Sequence, residues 1–350
     1  MTRNTLSVGR PSRAAVYQRL NASLAEMHEL LGGLPAPEDA DRIWRWIWHR
    51  EVHHSTALEG NTLLLDQVEA LLDEGRAIGS AELSEYLEVR GYADAAKWVY
   101  AQALAPVDAK DAAPVSLTEI RYVHELALGP SWVSAPHPQA TPEESPGSFR
   151  RHDIRSFPGG MTPPSWVVVP GALAEWVKSL AQLKDAPVLI EGLADAHARF
   201  ERIHPFLDGN GRAGRLILNL MLVRTGYPPA IIVKRDRDKY LSVLRRADHG
   251  DPGGLAEMLA RAVTANILEF VLPAKTEPDQ LVPLTSLVRK GLGAPALRAA
   301  IERGRLQAQK GDDGHFRSTV EWVDDYVAQR YRRTISTLTS VEVADETRSS

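Results

Sequence analysis

The chain has 350 residues, of which 44% are hydrophobic and 25% are charged, and its formal net charge is −4. The length suits one large and one small domain. The fractions of hydrophobic and charged residues are typical of a globular protein. The negative charge argues against electrostatic binding of nucleic acid by the whole protein, although a local basic patch stays possible. The absence of cysteine excludes disulfides, thiolate catalysis and cysteine-bound zinc. Because neither a signal peptide nor a run of about 18 apolar residues is evident, we predict a cytoplasmic protein without a membrane partner.

The apolar spacing predicts a mostly α-helical protein. Residues 1–35 form an N-terminal segment that we expect to be partly flexible, and residues 36–272 form the main domain. Residues 273–280 are rich in Pro and polar residues and are predicted to be a linker. Residues 281–333 form a small domain, and residues 334–350 form a disordered tail. The predicted helices are Arg19–Leu31, Asp39–Glu51, Ser80–Leu104, a helix that begins after Ser116, Ala172–Leu183, Leu189–Ile203, Gly211–Arg224, Lys239–Ala247 and Leu255–Leu272.

One region of the main domain departs from the helical pattern. Residues 130–165 are rich in Pro, Gly and Ser and are predicted to be a loop. Within and after it, 147–157 and 165–169 have the composition of short strands joined by a Gly/Pro-rich connection. We therefore expect a β-hairpin between 147 and 169.

The run His204-Pro-Phe-Leu-Asp-Gly-Asn-Gly-Arg-Ala-Gly-Arg215 carries the chemistry. Pro205 disfavours a helical conformation at His204, so the preceding helix should end at Ile203. The glycine-rich turn that follows, Gly209, Asn210 and Gly211, can expose successive backbone N–H groups. The turn opens an apolar helix, and a helix N-terminus of this kind binds phosphate.

The side chains around this turn suit a polyphosphate. Arg212 and Arg215 are three residues apart and lie on one helix face. Asp208 would be a carboxylate ligand for Mg²⁺ bridging nucleotide phosphates. A neutral His204 would take a proton from an attacking hydroxyl near pH 7. As simpler alternatives, the histidine caps a helix, the glycines form a turn and the arginines face solvent. A metal site of His197, Glu201 and His204 on one helix face is a further alternative.

The run resembles the signature of the Fic family, His-x-Phe-x-(Asp/Glu)-Gly-Asn-Gly-Arg-x-x-Arg, and every specified position matches. The resemblance implies a Fic-type helical bundle with a β-hairpin flap, and a protein adenylyltransferase that transfers AMP from ATP to a hydroxyl of a target protein. His204 would be the general base and Asp208 the Mg²⁺ ligand. The nucleotide would be held by Gly209, Asn210, Gly211, Arg212 and Arg215.

A second stretch, Ser55-Thr-Ala-Leu-Glu-Gly-Asn61, resembles the inhibitory motif of one Fic class, (Ser/Thr)-x-x-x-Glu-(Gly/Asn). Ser55 to Glu59 would form one helical turn that ends at Gly60. The resemblance implies that Glu59 pairs with Arg215 and so occupies the guanidinium meant for the γ-phosphate. The alternative is a solvated glutamate at a helix end.

Two further segments resemble parts of the family fold. The predicted hairpin resembles the Fic flap, which binds a target segment by strand pairing, and Phe157 and Met161 would hold the modified side chain. Residues 239–251 resemble the adenine side of the site, where Tyr240 and Asp248 would contact the base. The alternative for Tyr240 is a packing residue without a binding role. The family often has Asn at the position of Asp248, so a polar base contact there is open.

The C-terminal segment 281–333 has ten Lys/Arg and six Asp/Glu and resembles a helix-turn-helix or excisionase-like module. Such a module would bind DNA, or would be a basic docking or dimerisation unit. The leading prediction is therefore an AMP transferase with ATP and a protein target as partners. The alternatives are a hydrolase that removes AMP at the same site, a nucleotide-sensing DNA-binding regulator and, less in keeping with the Gly-Arg-x-x-Arg ending, a Doc-like kinase.

Overall fold

A computed structural model describes residues 11–37, 40–102, 113–155, 161–183, 186, 188–272, 281–288, 292–310 and 315–328. The chain divides into two compact units, Met1–Asn266 and Ile267–Ser350. The predicted linker 273–280 and tail 334–350 lie outside the described residues. None of the described helices combines the length and apolar character that a membrane span requires.

The first unit is built from α-helices, as the sequence predicts. Two short 3₁₀ helices, Trp166–Val168 and Lys234–Asp236, precede α6 and α9. The α-helices of its described part are α1 Arg13–Leu31, α2 Asp41–Leu58, α3 Leu65–Glu74, α4 Leu83–Ala101, α5 Leu117–Ser134, α6 Val169–Leu180, α7 Leu189–Ile203, α8 Asn210–Arg224, α9 Arg237–Asp248 and α10 Gly253–Asn266.

Helix α8 lies at the centre of this unit. Its residues are buried on every side from Arg212 to Val223, and it packs against α2, α4, α5 and α7. A helix that is apolar around its whole circumference is stable only in such a position. The loop that leads into α8 is therefore fixed by the core of the protein.

Most predicted helices are confirmed, two of them with a sequence-encoded start or stop. Helix α7 ends at Ile203, and α5 begins with a capping box formed by Ser116 and Glu119. Helix α1 begins at Arg13, six residues before the predicted start at Arg19, and packs against α10. Helix α3 was not predicted.

The predicted strand over 165–169 is wrong. Trp166–Val168 is a 3₁₀ helix that continues into α6, and Pro170 occupies the first turn of that helix. Proline at this position favours a helix start, and it outweighs the β-propensity of the preceding valines. The described residues 147–155 contain no strand either, so the segment is not a β-hairpin in its described part.

The second unit contains a three-stranded antiparallel sheet in the order β1-β3-β2, formed by β1 Val282–Pro283, β2 Gln309–Lys310 and β3 Phe316–Ser318. Its described part also contains a π-helix, Ile267–Val271, a 3₁₀ helix, Leu284–Leu287, helix α11 Ala294–Glu302 and helical residues 320–328. In the chain, strands β2 and β3 lie between α11 and the helical residues 320–328. The helix-turn-helix or excisionase-like module stays a prediction. The separate apolar core of the second unit includes Leu287, Leu297, Leu306 and Val323.

Candidate active site

The loop between α7 and α8 begins with a strained residue. His204 has φ 49°, and among the described residues it alone has a positive φ without being glycine. Its N–H donates to the carbonyl oxygen of Phe200 at 3.2 Å and so closes the last turn of α7. Because Pro205 forbids a further helical turn, the chain leaves the helix at His204 and presents the imidazole at the helix end.

Asn210 fixes the shape of this loop. Its side-chain oxygen accepts from the N–H of Phe206 at 2.9 Å, and its side-chain nitrogen donates to the carbonyl oxygen of Phe206 at 2.8 Å. Gly209 has φ 74°, and a Cβ there would collide with Leu128. The first turn of α8 therefore points its N–H groups and the positive end of its dipole into the site.

A pocket of about 310 Å³ opens beside the first turn of α8. Of the predicted site residues, it is lined by Glu59, His204, Gly211, Arg215, Tyr240 and Asp248. The lining does not include Ser55, Asp208, Gly209, Asn210 or Arg212. The structure thus brings the predicted base, one arginine and the predicted adenine side together in one cavity.

The predicted pair of Glu59 and Arg215 is present. Arg215 Nη2 donates to Glu59 Oε1 at 2.7 Å and to the backbone oxygen of Ser55 at 3.0 Å, and Arg215 Nε donates to Ser55 Oγ at 2.6 Å. Ser55 lies in the last turn of α2, Glu59 caps that helix, and Gly60 follows with φ 111°. One end of α2 therefore supplies three acceptors to one guanidinium.

The carboxylate of Glu59 lies over the first turn of α8. Glu59 Oε1 is 2.5 Å from the place where a Cβ on Gly211 would stand, so only glycine leaves room for it. Burial raises the pKa of Glu59, but Arg215 more than offsets this and the net shift is downward. Burial likewise lowers the pKa of Arg215, and Glu59 more than restores it. Both groups are charged at neutral pH, and Glu59 occupies an anion position.

Arg212 has a different environment. Its side chain is 5% exposed, and it faces Glu88 Oε1 at 3.3 Å and Asp208 Oδ2 at 3.4 Å. Neither Nε nor Nη1 of Arg212 forms a hydrogen bond of good geometry. The amide of Asn61, two residues after Glu59, donates to Glu88 Oε2 at 3.2 Å.

His204 has the properties of a general base. Nδ1 is 3.2 Å from the carbonyl oxygen of Glu201, which places the proton on Nδ1 and a lone pair on Nε2. Burial lowers the pKa of His204 to about 4, so the imidazole is neutral at pH 7.

Asp208 fits the role of a magnesium ligand. Its side chain is 49% exposed, and Oδ1 accepts from the N–H of Gly209 at 2.6 Å. Magnesium is commonly bound by one or two carboxylates together with substrate phosphates. In the described part of the chain, no three His, Asp or Glu side chains are placed to hold a metal by themselves. A magnesium ion shared between Asp208 and a nucleotide is compatible with both observations.

The alternative metal site is wrong. His197 is buried, and its Nε2 lies 2.7 Å from the hydroxyl of Tyr240. His197 is therefore a core residue that fixes Tyr240 in the pocket wall. Asp248 also lines the pocket, and burial raises the pKa of its carboxyl.

Two residues that the sequence analysis did not identify hold the loop in place. The buried side chain of Arg150 donates from Nε to the backbone oxygen of His204 at 2.9 Å. The backbone N–H of Arg150 donates to the backbone oxygen of Pro205, also at 2.9 Å. His124 lies 2.9 Å from the backbone oxygen of Asp208, accepts from the N–H of Gly147 at 2.8 Å and stacks on Phe206. Residues 147–150 are thereby fixed against the loop 204–208.

Of the two residues predicted to hold the modified side chain, Met161 lines the pocket and Phe157 lies outside the described residues. Glu201, predicted only as a ligand of the alternative metal site, also lines the pocket. Its Oε1 is buried and has no hydrogen-bond partner.

Comparisons with known proteins show which chains are similar to this one. Residues 114–222 match the family model "Fic/DOC family". The chain is 31% identical over 269 residues to "Protein adenylyltransferase Fic" of Drosophila yakuba and 30% identical over 279 residues to that of Drosophila willistoni. These matches cover 75% and 78% of the chain and 48% and 50% of the relatives, so the chain spans about half the length of the curated relatives it matches.

Solved structures show the same fold. A Fic-1 fragment from C. elegans superposes with a TM-score of 0.59 at 28% identity, covering 73% of this chain and 70% of the fragment. A Fic domain containing signaling protein from Bacteroides thetaiotaomicron has a TM-score of 0.60 at 24% identity, covering 75% and 99%. Residues 114–222, which include the loop, the predicted base and both arginines, therefore form a domain of the Fic/DOC family.

Proposed function

We propose that the protein is an adenylyltransferase that transfers AMP from ATP to a Ser, Thr or Tyr hydroxyl of a target protein and that Glu59 inhibits it. The observation that carries the proposal is the shared pocket of His204, Arg215 and the first turn of α8. The relatives named "Protein adenylyltransferase Fic" support the same activity.

In the reaction, the loop between α7 and α8 binds the triphosphate. The backbone N–H groups at the start of α8 stabilise the charge on the phosphates, and Arg212 and Arg215 neutralise the outer ones. Nε2 of His204 takes the proton from the target hydroxyl as its oxygen attacks the α-phosphorus. The bond from the α-phosphorus to the oxygen that bridges to the β-phosphate breaks, and pyrophosphate leaves. Mg²⁺ bound at Asp208 would supply further neutralisation of phosphate charge.

Glu59 blocks this arrangement in two ways. It holds Arg215 Nη2 at 2.7 Å, and its carboxylate stands over Gly211 at the end of the α8 dipole. A terminal phosphate would need the same cation and would meet a like charge there. In this proposal, the contact of Glu59 with Arg215 is the inhibited state of the enzyme.

The proposal is tested by incubating the protein with ATP labelled at the α-phosphate and Mg²⁺. Glu59→Gly should raise self-labelling at least about tenfold, because one charged hydrogen bond of about 1.5–3 kcal/mol no longer competes with ATP. In the same background, His204→Ala should reduce labelling at least about 100-fold, the usual contribution of a general base. Glu74→Gly is the matched control, since Glu74 is also an exposed acid at a helix end but lies on α3.

Absence of labelling in the Glu59→Gly protein with every nucleotide, alone and in cell lysate, would overturn the proposal. Release of AMP from a pre-labelled target would favour the hydrolase, and a DNA mobility shift without label transfer would favour the regulator. DNA binding by 281–333, a homodimer and a cytoplasmic location stay predictions, as does a binding role for Tyr240 and Asp248.

A further inference from the structure

A second acidic residue of the pocket has no role in the proposed reaction. Glu201 lies on α7 one turn before His204, and its side chain is 13% exposed. Its Oε1 is buried and has no hydrogen-bond partner. A buried carboxylate without a partner is costly, so its presence in a nucleotide-sized pocket requires a physical explanation.

Gly214 leaves space for the carboxyl group of Glu201. Glu201 Oε1 occupies the space that a Cβ on Gly214 would need, in the second turn of α8. The other neighbours do not neutralise it: His197 Nε2 is 4.0 Å away and is engaged by the hydroxyl of Tyr240. Glycine at 214 therefore keeps an acidic side chain packed inside the site without a dedicated cation.

Two charged groups act on Glu201 in the described structure. Arg215 on α8 lowers its pKa, and Glu59 at the end of α2 raises it. Tyr240 on α9 and His197 on α7 itself are the titratable neighbours, and burial keeps both neutral at pH 7 because it raises the pKa of the tyrosine and lowers that of the histidine to about 3. Burial is the largest influence on Glu201 and raises its pKa to about 8.

We propose that Glu201 determines the charge that the pocket accepts, because its carboxyl must be protonated for a triphosphate to bind beside Arg215. The inference rests on the proposed function. Arg215 interacts electrostatically with both acids, and a terminal phosphate can replace Glu59, which is at the rim. It cannot replace Glu201, which is packed against Gly214. An ionised Glu201 would pair with Arg215 and repel the phosphates, so ATP binding should fall as the pH rises through about 8.

The test measures ATP affinity at equilibrium, with Mg²⁺, in the Glu59→Gly/His204→Ala protein, which cannot turn over. Removal of Glu59 takes away one charge that raises the pKa of Glu201, so the fall in affinity should begin below pH 8. At higher pH it should approach about tenfold per pH unit, as one required proton dictates. Adding Glu201→Gln, which keeps the side chain neutral at every pH, should flatten the profile. Adding Glu175→Gln instead is the charge-matched control, since Glu175 is exposed on α6, and should leave the fall unchanged. In the Glu59→Gly protein with His204 present, the same Glu201 substitution should flatten the pH dependence of KM for ATP and spare kcat.

A second measurement does not depend on a Glu201 variant. If binding needs the protonated carboxyl, titration of the Glu59→Gly/His204→Ala protein with ATP at pH 8 must take up about half a proton or more, measured by calorimetry in buffers of different ionisation enthalpy. Parallel pH profiles with and without Glu201→Gln, or no proton uptake, would overturn the inference and leave the adenylyltransferase intact. Failure to bind ATP at any pH would instead refute the proposed function itself.

Discussion

The two arginines of the site differ in how far their charge is satisfied. Arg215 has three good hydrogen bonds, all to Ser55 and Glu59 at the end of one helix. Arg212 is as deeply buried, but it has only longer ion pairs, and two of its nitrogens lack a hydrogen bond of good geometry. A buried guanidinium with incomplete hydrogen bonding is unfavourable, so Arg212 gains from a phosphate, whereas Arg215 must first lose a partner.

The difference shows how inhibition and catalysis are divided along the chain. Both arginines lie within the Fic/DOC match at 114–222, whereas Ser55 and Glu59 lie outside it. The segment before the family domain therefore gives Arg215 three hydrogen bonds but gives Arg212 only one ion pair, from Glu88. For the proposed enzyme, control is concentrated on Arg215.

The largest expected effect is the loss of either arginine. In the Glu59→Gly background, Arg215→Ala and Arg212→Ala should each reduce labelling about 100- to 1,000-fold, the usual loss for one group that stabilises charge in the transition state. Arg199→Ala is the matched control, because Arg199 is an exposed arginine on α7. Unchanged labelling after Arg212→Ala would contradict the comparison, because it would show that Arg212 does not bind a phosphate of the nucleotide.

Removal of a single acceptor from Arg215 should have an intermediate effect. Ser55→Ala deletes the acceptor of Arg215 Nε and leaves Glu59 in place, so we expect labelling by the otherwise unchanged protein to rise about tenfold. Thr56→Val is the control, because the hydroxyl of Thr56 bonds only within α2, to the backbone oxygens of Val52 and His53. Equal effects of the two variants would mean that the stability of α2, and not the contact with Arg215, sets the activity.

The smallest effect is expected at Glu88. Glu88→Gln removes the charge that faces Arg212, and a partly exposed ion pair of this kind is worth about 0.2–1 kcal/mol. In the Glu59→Gly background, the affinity for ATP should therefore rise about two- to fivefold. Glu74→Gln should leave that affinity unchanged. A fall in affinity at Glu88→Gln would show that Glu88 orients Arg212 for the nucleotide and does not compete with it.

The site was more predictable than its surroundings, for local reasons. Pro205 ends α7, the glycines shape the turn, and four-residue spacing places Ser55 and Glu59 on one helix face. These effects act between neighbours in the sequence, so the ends of α7 and α8 could be predicted. The pair of Glu59 with Arg215 joins residues 156 positions apart, and it was implied only by the resemblance to the Fic inhibitory motif.

The errors and omissions have two causes. At 166–168 the valines suggested a strand, and the helix-starting effect of Pro170 was overlooked. Arg150 and His124 were missed because they act across the fold, and Arg150 reaches a carbonyl oxygen 54 residues away in the sequence. The role of Glu201 depends on space left by Gly214 on another helix, which spacing along one helix does not reveal.

The end of α2 has a consequence for how the proposed enzyme would be switched on. Ser55 and Glu59 lie one helical turn apart, and both accept hydrogen bonds from the guanidinium of Arg215. Gly60 follows immediately. Loosening that single turn would withdraw both contacts together, and fraying of a helix end requires far less free energy than global unfolding. A small local event would thus give an all-or-none release, with the core around α8 left undisturbed.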